Sequence, residues 1–187
     1  MISAVFDACV LYPVLVRDFL LSLANDGLIL PFWSEEIRNE WIRSLLRNRP
    51  DLKRKNLEQT RRNMDFHFPD SLVQTYESIV PALQLPDMND RHVLAVAIHT
   101  KAEYIVTFNL RDFPKLVLQP HGIEAILPDE LVLRLIREVP RLVLQVAKIH
   151  RLSLTRPSLS VIEYFAMLEK QGLPKTVAFL REYKSDL

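Results

Sequence analysis

The stretch Ile2-Ser3-Ala4-Val5-Phe6-Asp7 decides the fold class of this 187-residue chain. It is a short, largely apolar and partly β-branched run, which predicts a buried first strand. The run ends at an aspartate, so a carboxylate lies at the carboxyl end of that strand. Ligands of open α/β sheets bind beyond the carboxyl ends of the strands, and Asp7 is therefore the first candidate for a functional residue.

Two further apolar runs predict strands, and the segments between the strands have helical spacing. The runs are Tyr104 to Phe108 and Ile123 to Leu127, and a polar break from Asn109 to Pro114 follows the first of them. Strands that are separated by helices are joined by crossovers, which requires a parallel sheet with helices on both faces. We therefore predict an α/β fold with a central parallel sheet.

Helix signals fill the space between the strands. One helix is predicted from Pro13 to Gly27, and a second begins after the N-cap Ser34 and carries Glu40. Residues 51–66 and 71–80 are predicted to form two more helices, which Pro69 and Asp70 separate.

The helix before the second strand is predicted to be buried on most sides. It runs from Val93 to Ala102 and is rich in Ala, Val and Ile. Asp87, Asn89 or Asp90 can cap its start. His92 and His99 lie two turns apart on it, and we interpret both as structural.

After Pro128 the pattern becomes entirely helical. Pro140 opens one helix, Ser160 and Glu163 form a capping box for another that ends at Gly172, and Pro174 opens the last. There is no internal repeat, and with only 3 Gly no flexible linker forces a domain boundary. We expect residues 129–187 to be a helical extension that packs on the same domain as residues 1–128.

Composition places the chain among globular proteins. It is 49% hydrophobic and 25% charged, with a mean hydropathy of +0.04. Its apolar stretches are too short to cross a bilayer, and its first residues do not resemble a signal peptide. We therefore expect a cytoplasmic protein with no membrane partner. The single cysteine, Cys9, cannot form an internal disulfide, and we expect it to be a small buried hydrophobe.

Charge is segregated along the chain. Residues 43–62 hold eight Lys or Arg against two acids, residues 63–90 hold five acids and no Lys or Arg, and residues 134–156 hold six cations against one acid. Such a basic run is either a solvated helix face or a phosphate-binding surface. On the second interpretation, the first run supplies candidate RNA-binding residues: Arg43, Arg47, Lys53 and Arg54.

Four acids lie at element ends that a parallel sheet would bring together: Asp7, Glu40, Asp90 and Asp112. Taken alone, Asp90 is more typical of a helix cap and Glu40 of a solvated helix face. Several carboxylates at one sheet edge repel one another unless a hard cation is bound. Ligation by oxygen alone favours magnesium or manganese over zinc.

Three blocks of sequence resemble the PIN-domain family, in the order found in its VapC-like members. They are Val5-Phe6-Asp7-Ala8-Cys9-Val10-Leu11, then Asp87-Met88-Asn89-Asp90-Arg91-His92-Val93-Leu94-Ala95, and Ile105-Val106-Thr107-Phe108-Asn109-Leu110-Arg111-Asp112-Phe113-Pro114. The resemblance covers residues 1–128. It implies a Rossmann-like α/β/α fold, a site for Mg²⁺ or Mn²⁺, and hydrolysis of RNA to a 5′-phosphate and a 3′-hydroxyl.

The same resemblance assigns roles to individual residues. It implies that Asp7, Glu40 and Asp90 hold the metal, and that Asp112 binds through water or a second ion. Thr107 and Asn109 become candidates for positioning the phosphate or the metal ligands. Only its helical context identifies Glu40, and Glu36 competes with it from one turn earlier.

The resemblance also suggests partners. VapC-like proteins are toxins that act beside an antitoxin, and a cognate antitoxin is therefore expected. The helical tail is longer than in the commonest members. Its apolar positions either cover a surface that shorter relatives use to form a homodimer or enlarge the core; they include Leu142, Val146, Ile162, Phe165 and Leu168.

Other functions remain open from the sequence. A haloacid-dehalogenase phosphatase also has an aspartate after its first strand, but it needs a second aspartate two residues later, where this chain has Cys9. An inactive PIN-like module for binding RNA or a protein is another interpretation, although all four acids are present. A housekeeping RNA-processing nuclease is the third.

Overall fold

The structure of the chain is a computed structural model that describes residues 1–155 and 157–187. Parallel pairing of strands organises its central sheet. The strands follow the order β3-β2-β1-β4-β5 in one sheet. Arg156, at the end of the second basic region, lies outside the described residues. The strands are β1 (Ile2–Phe6), β2 (Ile29–Ser34), β3 (Leu72–Val73), β4 (Tyr104–Val106) and β5 (Glu124–Ile126).

Helices flank the sheet, which confirms the predicted α/β class. They are α1 (Ala8–Leu11), α2 (Val14–Asn25), α3 (Glu35–Asn48), α4 (Arg54–His67), α5 (Arg91–Thr100), α6 (Lys115–Leu118), α7 (Pro128–Glu138), α8 (Pro140–Ser153), α9 (Val161–Lys170) and α10 (Pro174–Glu182). Short 3-10 turns connect them at Pro69–Ser71, Val80–Ala82, Met88–Asp90, Leu110–Asp112, Gln119–His121 and Lys184–Asp186.

The register between β1 and β4 determines where the site forms. The two strands pair in parallel, with Phe6 opposite Val106. The amide of Asp7 extends this pairing and donates to the carbonyl oxygen of Val106 at 3.1 Å. Asp7 and Thr107 therefore leave the sheet side by side, at the edge that the sequence predicted for ligand binding.

The prediction of a helix over residues 71–80 is wrong. Leu72 and Val73 form β3, which pairs in parallel with Trp33 and Ser34 of β2. Thr75 then adopts a left-handed backbone with φ of 63°, a conformation that is costly within a helix. Strand pairing at the edge of the sheet thus overrides the local helical pattern.

The helix that follows Ser34 forms as predicted. The Ser34 hydroxyl accepts a hydrogen bond from the amide of Ile37 at 3.2 Å and so caps α3. Glu35 and Glu36 occupy the first turn, where the helix dipole favours acidic side chains. Glu40 follows one turn after Glu36, on a helix whose apolar stripe is buried.

The chain divides into two compact units. One comprises Met1–Tyr12 and Leu30–Ile126, and the other comprises Pro13–Ile29 and Leu127–Leu187. The second unit therefore combines α2 with the helices of the tail, and α2 packs on α8 and α9. The boundary at residue 128 and the packing of the tail on a single domain stay predictions.

The tail forms its helices where the sequence predicted them. The Ser160 hydroxyl and the Glu163 side chain make the reciprocal bonds of a capping box at the start of α9. Of the apolar tail residues, Val146, Phe165 and Leu168 are buried. Leu142 is half-buried and Ile162 is exposed. Most of these positions thus contribute to the core, and dimerisation stays a prediction.

None of the helices in the described ranges is long and apolar enough to cross a membrane.

A buried histidine lies in the core of the second unit. The Nδ1 atom of His150 lies 2.9 Å from the hydroxyl oxygen of Tyr164, and its ring packs against Phe19. Burial lowers the pKa of His150 from 6.5 to about 4. The folded chain therefore holds this imidazole neutral at neutral pH.

We predict that acidification destabilises the fold through His150. The unfolded chain takes up the proton near pH 6.5, whereas the folded chain resists it until about pH 4. This contribution to stability is complete above pH 6.5, and about 2 kcal/mol of it is lost between pH 7 and pH 5. Denaturant unfolding across this range should show a flatter pH dependence for His150→Gln. The exposed control His121→Gln should follow the wild type, and parallel curves for wild type and His150→Gln would contradict the prediction.

Candidate active site

An open cleft of about 910 Å³ lies at the carboxyl edge of β1. Residues from the end of β1, from α3 and from the segments before α5 and after β4 line it. The lining includes three of the four predicted acids and two of the predicted basic residues, together with polar side chains; the residues are Asp7, Ala8, Cys9, Tyr12, Glu40, Arg43, Ser44, Arg47, Asn48, Asp90 and Asn109. The sheet topology thus assembles groups that are distant in sequence.

Asp7 is held in place by two hydrogen bonds. It is buried, and its Oδ2 atom accepts from the Thr107 hydroxyl at 2.7 Å and from the Cys9 thiol at 3.0 Å. Among the described residues both bonds end on Oδ2, so Oδ1 remains available to the cleft. Hydrogen bonds to a buried charge are stronger than those between neutral groups, and this carboxylate is therefore firmly oriented.

Cys9 has a larger part in the site than the sequence predicted. Burial and the neighbouring charge of Asp7 raise the pKa of its thiol to about 12. The sulfur also accepts a hydrogen bond from the amide of Phe108 at 3.2 Å. Cys9 is thus a neutral thiol that connects β1 to the segment after β4. Its position two residues after Asp7 was the only sequence signal for this contact.

Glu40 and Glu36 lie on either side of a buried histidine. The Oε2 atom of Glu40 is 3.4 Å from Nε2 of His92, and that of Glu36 is 3.8 Å from Nδ1. Glu40 lines the cleft, whereas the more exposed Glu36 does not. The Tyr76 hydroxyl lies 3.5 Å from Glu36. The structure therefore separates the two competing glutamates, with His92 between them.

His92 is buried, and its ring faces the acids of the site. That it is structural stays a prediction. Neither ring nitrogen has a hydrogen bond of good geometry among the described residues. Burial lowers the pKa of His92, but the carboxylates of Glu40, Glu36 and Asp7 outweigh it and the net pKa is raised. The exposed His99, on the same helix, does not take part.

Asp90 does not cap the helix that it precedes. Its side chain makes no cap hydrogen bond, and the carboxylate of Asp87 accepts from the amide of Asn89 at 2.9 Å instead. Burial raises the pKa of Asp90 to about 7, and the charges of Asp7, Asp87, Asp112 and Glu40 add to the shift. Asp90 thus lies within electrostatic reach of every other predicted acid.

Asp112 and Asn109 occupy the turn after β4. The charge of Asp112 contributes to the raised pKa of Asp90, but Asp112 does not line the cleft, and the Arg111 guanidinium lies 3.6 Å from its carboxylate. Asn109 does line the cleft, and its backbone N–H donates to the Thr107 hydroxyl at 2.9 Å. Thr107 therefore connects Asp7 to the backbone of this turn.

The donor set fits a hard divalent cation. It consists of carboxylate oxygens from Asp7, Glu40 and Asp90, and a bound cation would relieve the repulsion among them. In residues 1–155 and 157–187, no three His, Cys, Asp or Glu side chains converge on a single point.

The structure divides the predicted RNA-binding residues into two groups. Arg43 and Arg47 line the cleft. Lys53 and Arg54 do not, and Arg54 lies 3.5 Å from Glu58. Only part of the basic stretch over residues 43–62 therefore lines the cleft.

Comparison with known proteins agrees with the geometry. The family model described as "PIN domain" matches residues 3–111, more than half of the chain and all of the acids except Asp112. The chain belongs to the PIN-domain family. A second family model, "VapC50 C-terminal domain", matches residues 128–182 of this PIN-domain protein. The predicted resemblance to VapC-like proteins is thereby confirmed.

A curated relative shares part of the sequence. The PIN-domain chain is 43% identical over 58 residues to "Putative ribonuclease VapC50" of Mycobacterium tuberculosis (strain ATCC 25618 / H37Rv). The match spans 31% of this chain and 34% of that protein, about a third of each. No solved structure matches the chain.

We predict that Thr107 stabilises the fold by holding Asp7. Thr107→Val removes a buried hydrogen bond to a charged group and should lower the free energy of unfolding by about 1.5–3 kcal/mol. Thr107→Ser keeps the hydroxyl, loses one buried methyl group, and should cost about 0.8 kcal/mol. Denaturant unfolding measures both. Equal losses in the two variants would mean that packing, not the hydrogen bond, matters here.

Proposed function

We propose that this PIN-domain protein is an endoribonuclease that hydrolyses RNA phosphodiester bonds with the aid of bound Mg²⁺ or Mn²⁺. The observation that carries the proposal is the cleft at the carboxyl edge of β1, whose lining brings together the carboxylates of Asp7, Glu40 and Asp90. Two arginines line the same cleft, and they suit an anionic substrate. Membership of the PIN-domain family also supports the proposal.

The metal would be held by Asp7, Glu40 and Asp90, with Asp112 binding through water or a second ion. The three proposed direct ligands all line the cleft, whereas Asp112 stands farther back. A bound Mg²⁺ would lower the pKa of a coordinated water and stabilise charge on the phosphoryl oxygens. The position of Asp112 suits an indirect role.

The remaining residues of the site would position the reactants. Thr107 and Cys9 fix Oδ2 of Asp7, which would leave Oδ1 as the ligand atom for the metal. The side-chain amide of Asn109, a residue that lines the cleft, would donate a hydrogen bond to a phosphate oxygen. Arg43 and Arg47 would hold neighbouring phosphates and keep the strand in register.

We expect RNA cleavage to require the divalent ion and Glu40. Glu40→Gln removes a charged oxygen ligand, and cleavage of single-stranded RNA should fall by more than about 100-fold, with weaker Mn²⁺ binding in calorimetry. Asp7→Asn and Asp90→Asn should also abolish turnover. They should fold normally, or be slightly more heat-stable, because each relieves repulsion in the metal-free cluster.

Glu36→Gln is the matched control, since it removes the same charge one helical turn away and outside the cleft. It should retain Mn²⁺ binding and most of the activity. Cleavage that survives exhaustive chelation would contradict the proposed metal dependence. Equal losses in Glu36→Gln and Glu40→Gln would contradict the assignment of the ligand.

We further propose that the nuclease acts as the toxin of a toxin–antitoxin pair. Support comes from the order of the two family matches, a PIN domain followed by a VapC50 C-terminal domain. An antitoxin could neutralise the acid cluster by inserting a guanidinium among the carboxylates, in place of the metal.

Induction of the protein alone should arrest bacterial growth, and Asp7→Asn should abolish the arrest. Co-expression of an adjacent small partner should restore growth, and nuclease activity that the partner inhibits should recover in part as Mg²⁺ is raised. Colony counts and cleavage assays measure these effects. Normal growth at high levels of folded, metal-binding protein would instead favour a housekeeping role in RNA processing.

A further inference from the structure

Helix α4 exposes a large aromatic side chain to solvent. Phe66 is 81% exposed, near the end of the helix, and its ring makes an edge contact with His67 at a centroid distance of 5.3 Å. The apolar residues on the opposite side of the same helix, Leu57 and Met64, are buried. The buried face of the helix does not need this phenylalanine for packing, and its ring is therefore free to contact a ligand.

The same face carries cations at helical spacing. Lys55, Gln59, Arg62 and Phe66 follow the pattern i, i+4, i+7 and i+11, which places them in one stripe along the helix. All four are exposed. We call this stripe, together with His67, the outer face of α4.

The charges of the outer face are not neutralised by acids. Within the part of the chain that the structure describes, neither Lys55 nor Arg62 forms an ion pair, whereas Arg61 of the same helix lies 3.1 Å from Glu58. Arg62 donates instead to the side-chain oxygen of Gln59 at 2.6 Å. That contact orients the guanidinium along the stripe while leaving its charge available to an anion.

Helix α4 is attached to the helix that supplies the cleft. Arg38 of α3 pairs with Asp65 of α4, and Arg61 of α4 pairs with Glu35 of α3 at 2.7 Å. Arg43 and Arg47, on α3, line the cleft. Helix α4, which at 14 residues is about 20 Å long, therefore lies beside the helix that carries the cleft arginines.

We propose that the outer face of α4 binds single-stranded RNA outside the cleft, with Lys55 and Arg62 on phosphates and Phe66, supported by His67, stacked on an unpaired base. This inference rests on the proposed nuclease function and extends its substrate path. The combination of free cations with an exposed aromatic ring favours a nucleic acid strand, because cations alone recognise the backbone and an aromatic ring adds sequence-tolerant stacking. A paired base has no free face to offer.

The test measures RNA binding in the full-length Asp7→Asn protein, which should not cleave its ligand. Fluorescence anisotropy with a labelled single-stranded oligoribonucleotide should show at least about fivefold weaker binding for Phe66→Ala, as expected for a lost stacking contact. The salt dependence should stay unchanged. Phe66→Trp keeps a stacking surface and should restore affinity. Leu116→Ala is the matched control, because Leu116 is an equally exposed apolar residue, at 84%, on α6.

The roles of Lys55 and Arg62 are tested separately, by the salt dependence of RNA affinity. Lys55→Ala with Arg62→Ala should flatten the slope of log affinity against log salt by about 1.4, since each lost phosphate contact contributes about 0.7. Arg43→Ala with Arg47→Ala provides the reference for loss of cleft contacts. Arg61→Ala removes a paired cation of the same helix and should change the slope by less than Lys55→Ala or Arg62→Ala alone.

The outcomes separate the inference from the proposed function. RNA binding by Asp7→Asn that Phe66→Ala leaves within twofold of its parent would overturn the inference alone. So would an equal effect of Phe66→Ala on duplex RNA, or loss of a protein partner's binding with RNA affinity intact. Failure of the wild type to bind Mn²⁺ or cleave RNA would overturn the proposed function, whatever Phe66 does.

Discussion

The burial of the Asp7 carboxylate is the constraint on which the site depends. A buried charge is tolerated only when hydrogen bonds compensate for the lost water. The β1–β4 register brings the Thr107 hydroxyl alongside, and the Cys9 thiol comes from α1, directly after Asp7. The parallel pairing therefore has two effects. It buries the apolar side chains of the two strands, and it orients the Asp7 carboxylate, near which the other acids of the site lie.

The acids themselves oppose folding. Burial and, after it, several neighbouring like charges raise the pKa of Asp90, so the folded chain holds this carboxylate in its ionised form at a cost. The stability that offsets this cost comes from elsewhere, from the apolar strands and from helices such as α5, whose residues 92–97 are buried. The chain thus places a destabilising cluster on a rigid support, an arrangement typical of functional sites.

Much of this architecture could be predicted from local sequence, and the exceptions have physical causes. β1, β4 and the helix after Ser34 were predictable because each has a clear apolar pattern and a terminal polar residue. β2 was not expected, because Pro31 interrupts its alternation, and β3 is only two residues long and forms by pairing with β2. The contact between His92 and both glutamates depends on tertiary packing, which no spacing along the chain reveals.

The grouping of α2 with the tail has a consequence for how the protein is made. During synthesis α2 leaves the ribosome early, with Phe19, Leu20 and Leu23 ready to be buried. Its partners α8 and α9 begin only at Pro140 and Val161, and strands β2 to β5 of the central sheet are translated in between. The apolar face of α2 can therefore pack on these helices only when translation is nearly finished, and until then it is open to solvent or to chaperones. The second unit is therefore completed last, after the unit that carries the cleft has been translated.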